Sequence, residues 1–176
     1  MSNKSLLKVN GFPRSGNTYL NFLLRFAYYP TERPNLNWHT AKRFNSDKVL
    51  LVPIRNPLDC ISSWNLWHNR YNLDMDIAYY LRFHTAALKS NILTLEFDKF
   101  TNDFQYTYTR ISKTFGIDPV EFPTDETIRE SLNLNSRSMN LPRNNQEDLE
   151  SIKAHLVDLP KFQACLDLYA ELKTVS

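Results

Sequence analysis

The chain has 176 residues, 42% of them hydrophobic and 13% aromatic, which suits one folded domain with a full core and excludes a disordered chain. Its formal charge of +2 is too small for a general nucleic-acid or membrane-surface binder, so any anion recognition has to be local and built from a few placed residues. Cys60 and Cys165 are too few for a disulfide framework and lack metal-ligand spacing, which leaves buried free thiols as the expectation.

In chain order, Leu6–Asn10 reads as a short strand, Gly11–Thr18 as a glycine loop, and Tyr19–Tyr28 has the apolar density of a buried helix. Pro30–Asn37 is an irregular connection, with a short second strand expected near Leu36–His39. Lys48–Ile54 is the clearest strand, a continuous apolar run of the kind buried on both faces of a parallel sheet. Pro53 lacks a ladder donor and predicts a bulge or an early strand end. Pro57 suits the first turn of a helix running to about Arg70, capped by Asn56. A helix over Met75–Lys89, a strand over Asn91–Phe97 and a helix over Asn102–Phe115 ended by Gly116 follow. The remainder reads as loops with helices near Asp125–Leu132, Gln146–Leu156 and Phe162–Leu172. Alternating strands and helices imply right-handed crossovers and a parallel sheet covered on both sides, a three-layer α/β/α fold in a single domain. No apolar leader opens the chain and no run of about 18 apolar residues occurs, so no membrane insertion is expected and a cytoplasmic location is the default.

The glycine loop is the most informative segment. Two of the chain's 3 glycines, Gly11 and Gly16, stand in Gly-Phe-Pro-Arg-Ser-Gly-Asn-Thr between a strand and a helix. That arrangement describes a phosphate cradle, where backbone N–H groups and the positive end of a helix meet an anion. The loop departs from the triphosphate pattern G-x-x-x-x-G-K-[ST] at one place: Asn17 stands where the lysine belongs, and the cation is Arg14 inside the loop. A second cluster, Arg55-Asn56-Pro57-Leu58-Asp59-Cys60-Ile61-Ser62-Ser63, begins at the end of the strongest strand, where open parallel sheets bind their ligands. An ordinary phosphate-loop NTPase carries a magnesium aspartate at a comparable strand end, whereas this strand delivers a cation. Two separated cationic positions suggest a nucleotide with acidic groups at both ends of its ribose.

These residues resemble those of sulfotransferases that use 3′-phosphoadenosine 5′-phosphosulfate (PAPS). The family's 5′ loop, approximately P-[KR]-S-G-[TN]-[TS]-[WYL], is matched by Pro13-Arg14-Ser15-Gly16-Asn17-Thr18-Tyr19. Its 3′-phosphate motif is matched by Arg55 and Ser63, with Asn-Pro and Asp between them. Leu95-Glu96-Phe97-Asp98-Lys99-Phe100-Thr101-Asn102-Asp103 is similar to the family's strand-to-helix segment L-R-Y-E-D-L-x-x-D. The resemblance spans about Leu6 to Ile117 and implies a phosphate-loop sulfotransferase fold. It implies that Arg14 contacts the sulfuryl group and bridging oxygen, and that Ser15, Gly16, Asn17 and Thr18 wrap the 5′-phosphate. Tyr19 and Phe97 would neighbour adenine, and Arg55 and Ser63 would hold the 3′-phosphate. His39 occupies the region of the family's general base, with His84, His68 and Glu32 as alternatives. The family's glycine-rich C-terminal segment over the 3′-phosphate is missing, and Arg137 or Arg143 would substitute for it.

The expected reaction is direct in-line sulfuryl transfer from PAPS to a hydroxyl or amine of a small-molecule or glycan acceptor, without a metal. A nucleotide or small-molecule kinase and a non-catalytic nucleotide-binding module are the competing readings. Acceptor contacts would come from Tyr28–Phe44, Trp64–Asp76 and Leu132–Asn145. Trp38, Trp64, Trp67, Tyr71 and Phe83 are the aromatic candidates there, for an acceptor pocket or for the core. The acceptor itself and the oligomeric state stay open.

Overall fold

Four short segments, Leu7–Asn10 (β1), Asn37–Trp38 (β2), Val49–Ile54 (β3) and Leu93–Glu96 (β4), pair as one parallel sheet in the order β2–β1–β3–β4. The computed structural model describes residues 7–29, 37–38, 40, 44, 49–69, 72–90, 92–122, 124, 126–128, 130 and 146–175. Its helices are α1 (Asn17–Tyr28), α2 (Pro57–His68), α3 (Leu73–Leu88), α4 (Phe97–Asn102), α5 (Phe104–Phe115), α6 (Gln146–Asp158) and α7 (Phe162–Thr174).

The period-two alternation of the strands sorts their side chains onto two faces. Leu7, Val9, Leu51, Leu93 and Leu95 join Leu20, Leu23 and Leu24 of α1 and Phe104, Tyr108 and Ile111 of α5 in one core. Leu50, Val52 and Ile54 join Cys60 and Ile61 of α2, Ile77, Tyr80 and Phe83 of α3, and Phe162, Cys165 and Leu172 of α7 in the other. The chain is therefore an α/β structure with helices on both faces of a parallel sheet. β3 reads as an unbroken apolar run because both its faces are buried.

Local signals explain most boundaries. The Asn56 side chain accepts from the Leu58 N–H at 2.9 Å, and Pro57 occupies the first turn of α2. Pro53 neither bulges β3 nor ends it early: its pairing to Leu95 is regular and the strand continues to Ile54. The β1 pairing has already stopped at Val9 and Leu51, so the proline stands beyond the ladder on that side. The expected strand through Phe97 stops at Glu96, and Phe97 opens α4. The expected helix from Asn102 is divided at Asp103, whose carboxylate accepts from the Gln105 and Tyr106 N–H groups and so starts α5 afresh. Residues 126–128 are helical, with Ile128 buried. Both cysteines are buried free thiols, and burial pushes Cys165 up to about 12. Among the described residues no helix is long and apolar enough to cross a membrane.

Candidate anion-binding site

The sheet order itself locates the site. After β1 the chain runs to β2 on one side, then returns to β3 on the other side of β1. The carboxyl ends of β1 and β3 thus flank a point where successive connections leave in opposite directions, which opens a crevice in sheets of this kind. The loop after β1 carries Arg14, and Arg55 directly follows β3.

Two backbone requirements shape the loop. Gly16 has φ of +93°, and a Cβ there would lie 2.6 Å from Phe97 Cδ2 and 2.8 Å from Phe100 Cζ, so no side chain fits between loop and α4. Arg14 is also left-handed, with φ of +64°. Ser15 closes the turn, donating its N–H to the Phe12 carbonyl at 3.2 Å and its hydroxyl to the same oxygen at 2.6 Å. The Asn17 side chain folds inward, its amide N–H donating to the carbonyls of Phe12 at 2.7 Å and Gly11 at 3.3 Å. At the lysine position of a triphosphate loop, this chain therefore has an internal strut rather than a cation. Ser15 is fully buried with its N–H held by the Phe12 carbonyl, Asn17 is almost as buried, and Thr18 is exposed. Gly16 caps α1 with no side-chain acceptor, and the first turn of α1 carries no acid. The helix N-terminus thus presents its N–H groups and positive dipole end to the crevice.

The two arginines meet over this helix end. Arg14 Nε donates to Ser63 Oγ at 3.0 Å, and Arg55 Nη1 donates to the Arg14 carbonyl at 3.1 Å. The Arg14 guanidinium carbon lies 5.1 Å from the Trp67 ring centre, and that of Arg55 lies 4.5 Å from the Phe97 ring centre. Burial, and then the nearby charge of Arg55, lower the Arg14 pKa from its ordinary value. A bound anion would oppose the repulsion directly.

A cavity of about 510 Å³ opens here, lined by Pro13, Arg14, Gly16, Asn17, Thr18, Tyr19, Arg55, Trp64, Trp67 and Phe97. That volume is in the range of sites that hold a drug-sized ligand, about 300–1,000 Å³. Of the residues singled out from the sequence, Arg14, Gly16, Asn17, Thr18, Tyr19, Arg55 and Phe97 thus share one wall. Ser63 is buried behind it and touches the cavity's chemistry through Arg14. Its hydroxyl accepts from Arg14, which leaves the hydroxyl proton for a second partner. Tyr19 donates its hydroxyl to the Thr101 carbonyl at 3.3 Å and leans on Phe100 and Phe104, so its ring is fixed at the cavity edge. Trp64 and Trp67 come from neighbouring turns of α2, one residue and one turn beyond Ser63. Phe83, an aromatic candidate for the acceptor pocket, is core. The support that Phe97 and Phe100 give to Gly16 escaped sequence reading, although their spacing of three on a helix start places both rings on one side.

The histidines separate clearly. His84 is fully buried on α3 among Phe12, Tyr80 and Phe83, and burial lowers its pKa to about 4. It has no access to a substrate, so it is set aside as a base. His68 is partly exposed at the end of α2, with its ring 3.7 Å from that of Trp64 and Nδ1 3.3 Å from the Trp64 carbonyl. His39, Glu32, Arg137 and Arg143 lie outside the described residues, as does Tyr71.

The walls thus bring together the Arg14 and Arg55 guanidinium groups, the α1 N-terminus, and the Tyr19 and Phe97 rings. No family model matches the chain, and no curated protein matches it.

Proposed function

We propose that this chain is a sulfotransferase that moves a sulfuryl group from PAPS to a hydroxyl or amine acceptor, on a phosphate-loop fold. One observation carries the reading. Two arginines from different strand ends converge on one cavity over an uncapped helix N-terminus, and the loop's would-be lysine position is an asparagine folded inward. The inward Asn17 also makes a triphosphate-using kinase the weaker reading, because no cation projects from the first turn of α1.

The bound donor would supply an activated sulfuryl group on a phosphate leaving group. In this assignment Arg14 holds the oxygens on which charge grows as that bond breaks, and the α1 N–H groups with the Thr18 hydroxyl hold the 5′-phosphate. Arg55 holds the 3′-phosphate, with Ser63 in support, and Tyr19 and Phe97 offer faces to adenine. His39 accepts the acceptor's proton, with His68 the alternative that lies beside the cavity wall. Trp64 and Trp67 border the acceptor's side. Trp67 is 49% exposed, so a ring or chain arriving from solvent reaches it directly.

The test has two stages. PAP, the desulfated product, is titrated calorimetrically with and without EDTA, against ATP as the competitor expected to bind more weakly. PAPS turnover is then measured over a panel of phenol, alcohol, amine and glycan acceptors. Metal-independent PAP binding with turnover on one acceptor class is the expected result. PAP binding without any turnover would leave a nucleotide-binding module, and no PAP binding would overturn the assignment.

A further inference from the structure

We infer that Arg55 is a positioning residue for the glycine loop in addition to an anion ligand: it braces the left-handed backbone at Arg14 from the end of β3. The inference rests on the nucleotide reading of this cavity, but not on sulfuryl transfer. It begins with strain. A non-glycine residue at φ of +64° is crowded by its own Cβ, and such a conformation persists only where the surroundings over-determine it. Arg14 is such a residue, and the loop turns left-handed again two positions later at Gly16.

Two contacts from outside the loop meet those two positions. Arg55 Nη1 donates to the Arg14 carbonyl at 3.1 Å, fixing the peptide that follows the strained residue. The Phe97 ring stands against Gly16, close enough that a Cβ would come within 2.6 Å of Cδ2. These contacts are themselves joined, because the Arg55 guanidinium lies 4.5 Å from the Phe97 ring centre. Their backbones are tied one step away, where Ile54 pairs with Glu96 across β3 and β4. The loop is thus held in a fork whose two prongs leave adjacent strands.

The guanidinium suits this double duty. It offers five N–H donors in a fixed plane, so one can hold the Arg14 carbonyl while others face an anion, and its plane can lie on an aromatic ring. A lysine would keep the charge but lose the plane and the fork of donors. The consequence is a coupling: the side chain that would bind one end of the nucleotide also holds the loop that grips the other. A pure ligand role predicts that replacing Arg55 harms only ligands with the second phosphate. A brace predicts that ligands without it suffer as well.

Wild type, Arg55→Lys and Arg55→Ala are compared by calorimetry with PAP and with adenosine 5′-monophosphate, which lacks the 3′-phosphate. Amide hydrogen exchange is measured on the unliganded proteins at Ser15 and Leu20, which donate to the Phe12 and Gly16 carbonyls, and along β3 as an internal standard. In Arg55→Ala, exchange at Ser15 and Leu20 is expected to accelerate about tenfold with β3 unchanged, and adenosine 5′-monophosphate to bind about tenfold more weakly. Arg55→Lys should recover part of the PAP affinity without recovering the loop protection. A loss confined to PAP with unchanged loop exchange would overturn the brace. Should Arg55→Ala loosen β3 as well, Arg55→Lys decides: faster loop exchange with β3 intact supports the brace, and unchanged loop exchange overturns it. Absence of PAP binding by wild type would sink the nucleotide reading, while the exchange rates would still decide the brace.

Discussion

Lowering the pH should destabilise this protein markedly through one residue, His84. The ring lies fully buried on α3, 4.1 Å from the Tyr80 ring centre, 5.1 Å from Phe83 and 5.8 Å from Phe12 of the glycine loop. Nδ1 is 3.1 Å from the Tyr80 carbonyl, and Nε2 has no hydrogen-bond partner among the described residues. Burial lowers its pKa from 6.5 to about 4, with the Tyr80 carbonyl opposing part of that fall. In the unfolded chain His84 binds a proton near its ordinary value, so between the two values the unfolded state holds more protons and stability falls with pH. Well above pH 6.5 the proton-linked penalty vanishes, and the loss is complete once the pH is below about 4. At ~1.4 kcal/mol per pH unit across that window, the full loss is about 3 kcal/mol, of which about 2.5 kcal/mol should be spent between pH 7.5 and 4.5. Domains of this size are stable by about 5–15 kcal/mol, so the effect is large. Urea unfolding at several pH values, for wild type and His84→Leu, isolates it from every carboxylate the two proteins share. The stability gap between the two proteins should shift by the stated amount in favour of His84→Leu as the pH falls. Parallel pH curves would refute the reasoning and reopen His84 as a titrating group near neutrality.

Three further variants have defined outcomes. Gly16→Ala must adopt a positive φ and force a Cβ against the Phe97 and Phe100 rings, which should cost roughly 2–4 kcal/mol and abolish nucleotide binding. Thermal unfolding checks it, and an unchanged melting temperature would show that the loop is not so held. His39→Ala should lower transfer by about 10²–10⁴-fold while PAP affinity stays within about threefold, because a base acts on the acceptor's proton in the transition state. Arg14→Ala, measured beside it, should lose both turnover and PAP affinity. Retention of more than about a tenth of the activity by His39→Ala would move the base to Glu32 or to His68, which lies beside Trp64.

Much of the architecture was legible in one dimension because its causes are local. Asn56 and Pro57 start α2 through a cap and a fixed φ, and Gly116 ends α5 with φ of +64°. The apolar run before Arg55 states that β3 is buried on both faces, and the same abrupt end announces a cation at the sheet's mouth. Two glycines in one short loop marked the turn that borders the cavity. What a sequence could not state is direction. Asn17 folds into the loop because the Phe12 and Gly11 carbonyls converge there, and that convergence depends on the whole turn. His84 is core because α3 packs its face under Phe12, which no spacing on α3 alone reveals. Arg55 spends one donor on the Arg14 carbonyl, and Ser63 meets Arg14, because β1 and β3 are neighbours in the sheet though far apart in the chain. Propensity and capping act over a few residues and are written in the sequence. Which atom faces which across a crevice is set by strand order and helix packing, and only the folded chain decides it.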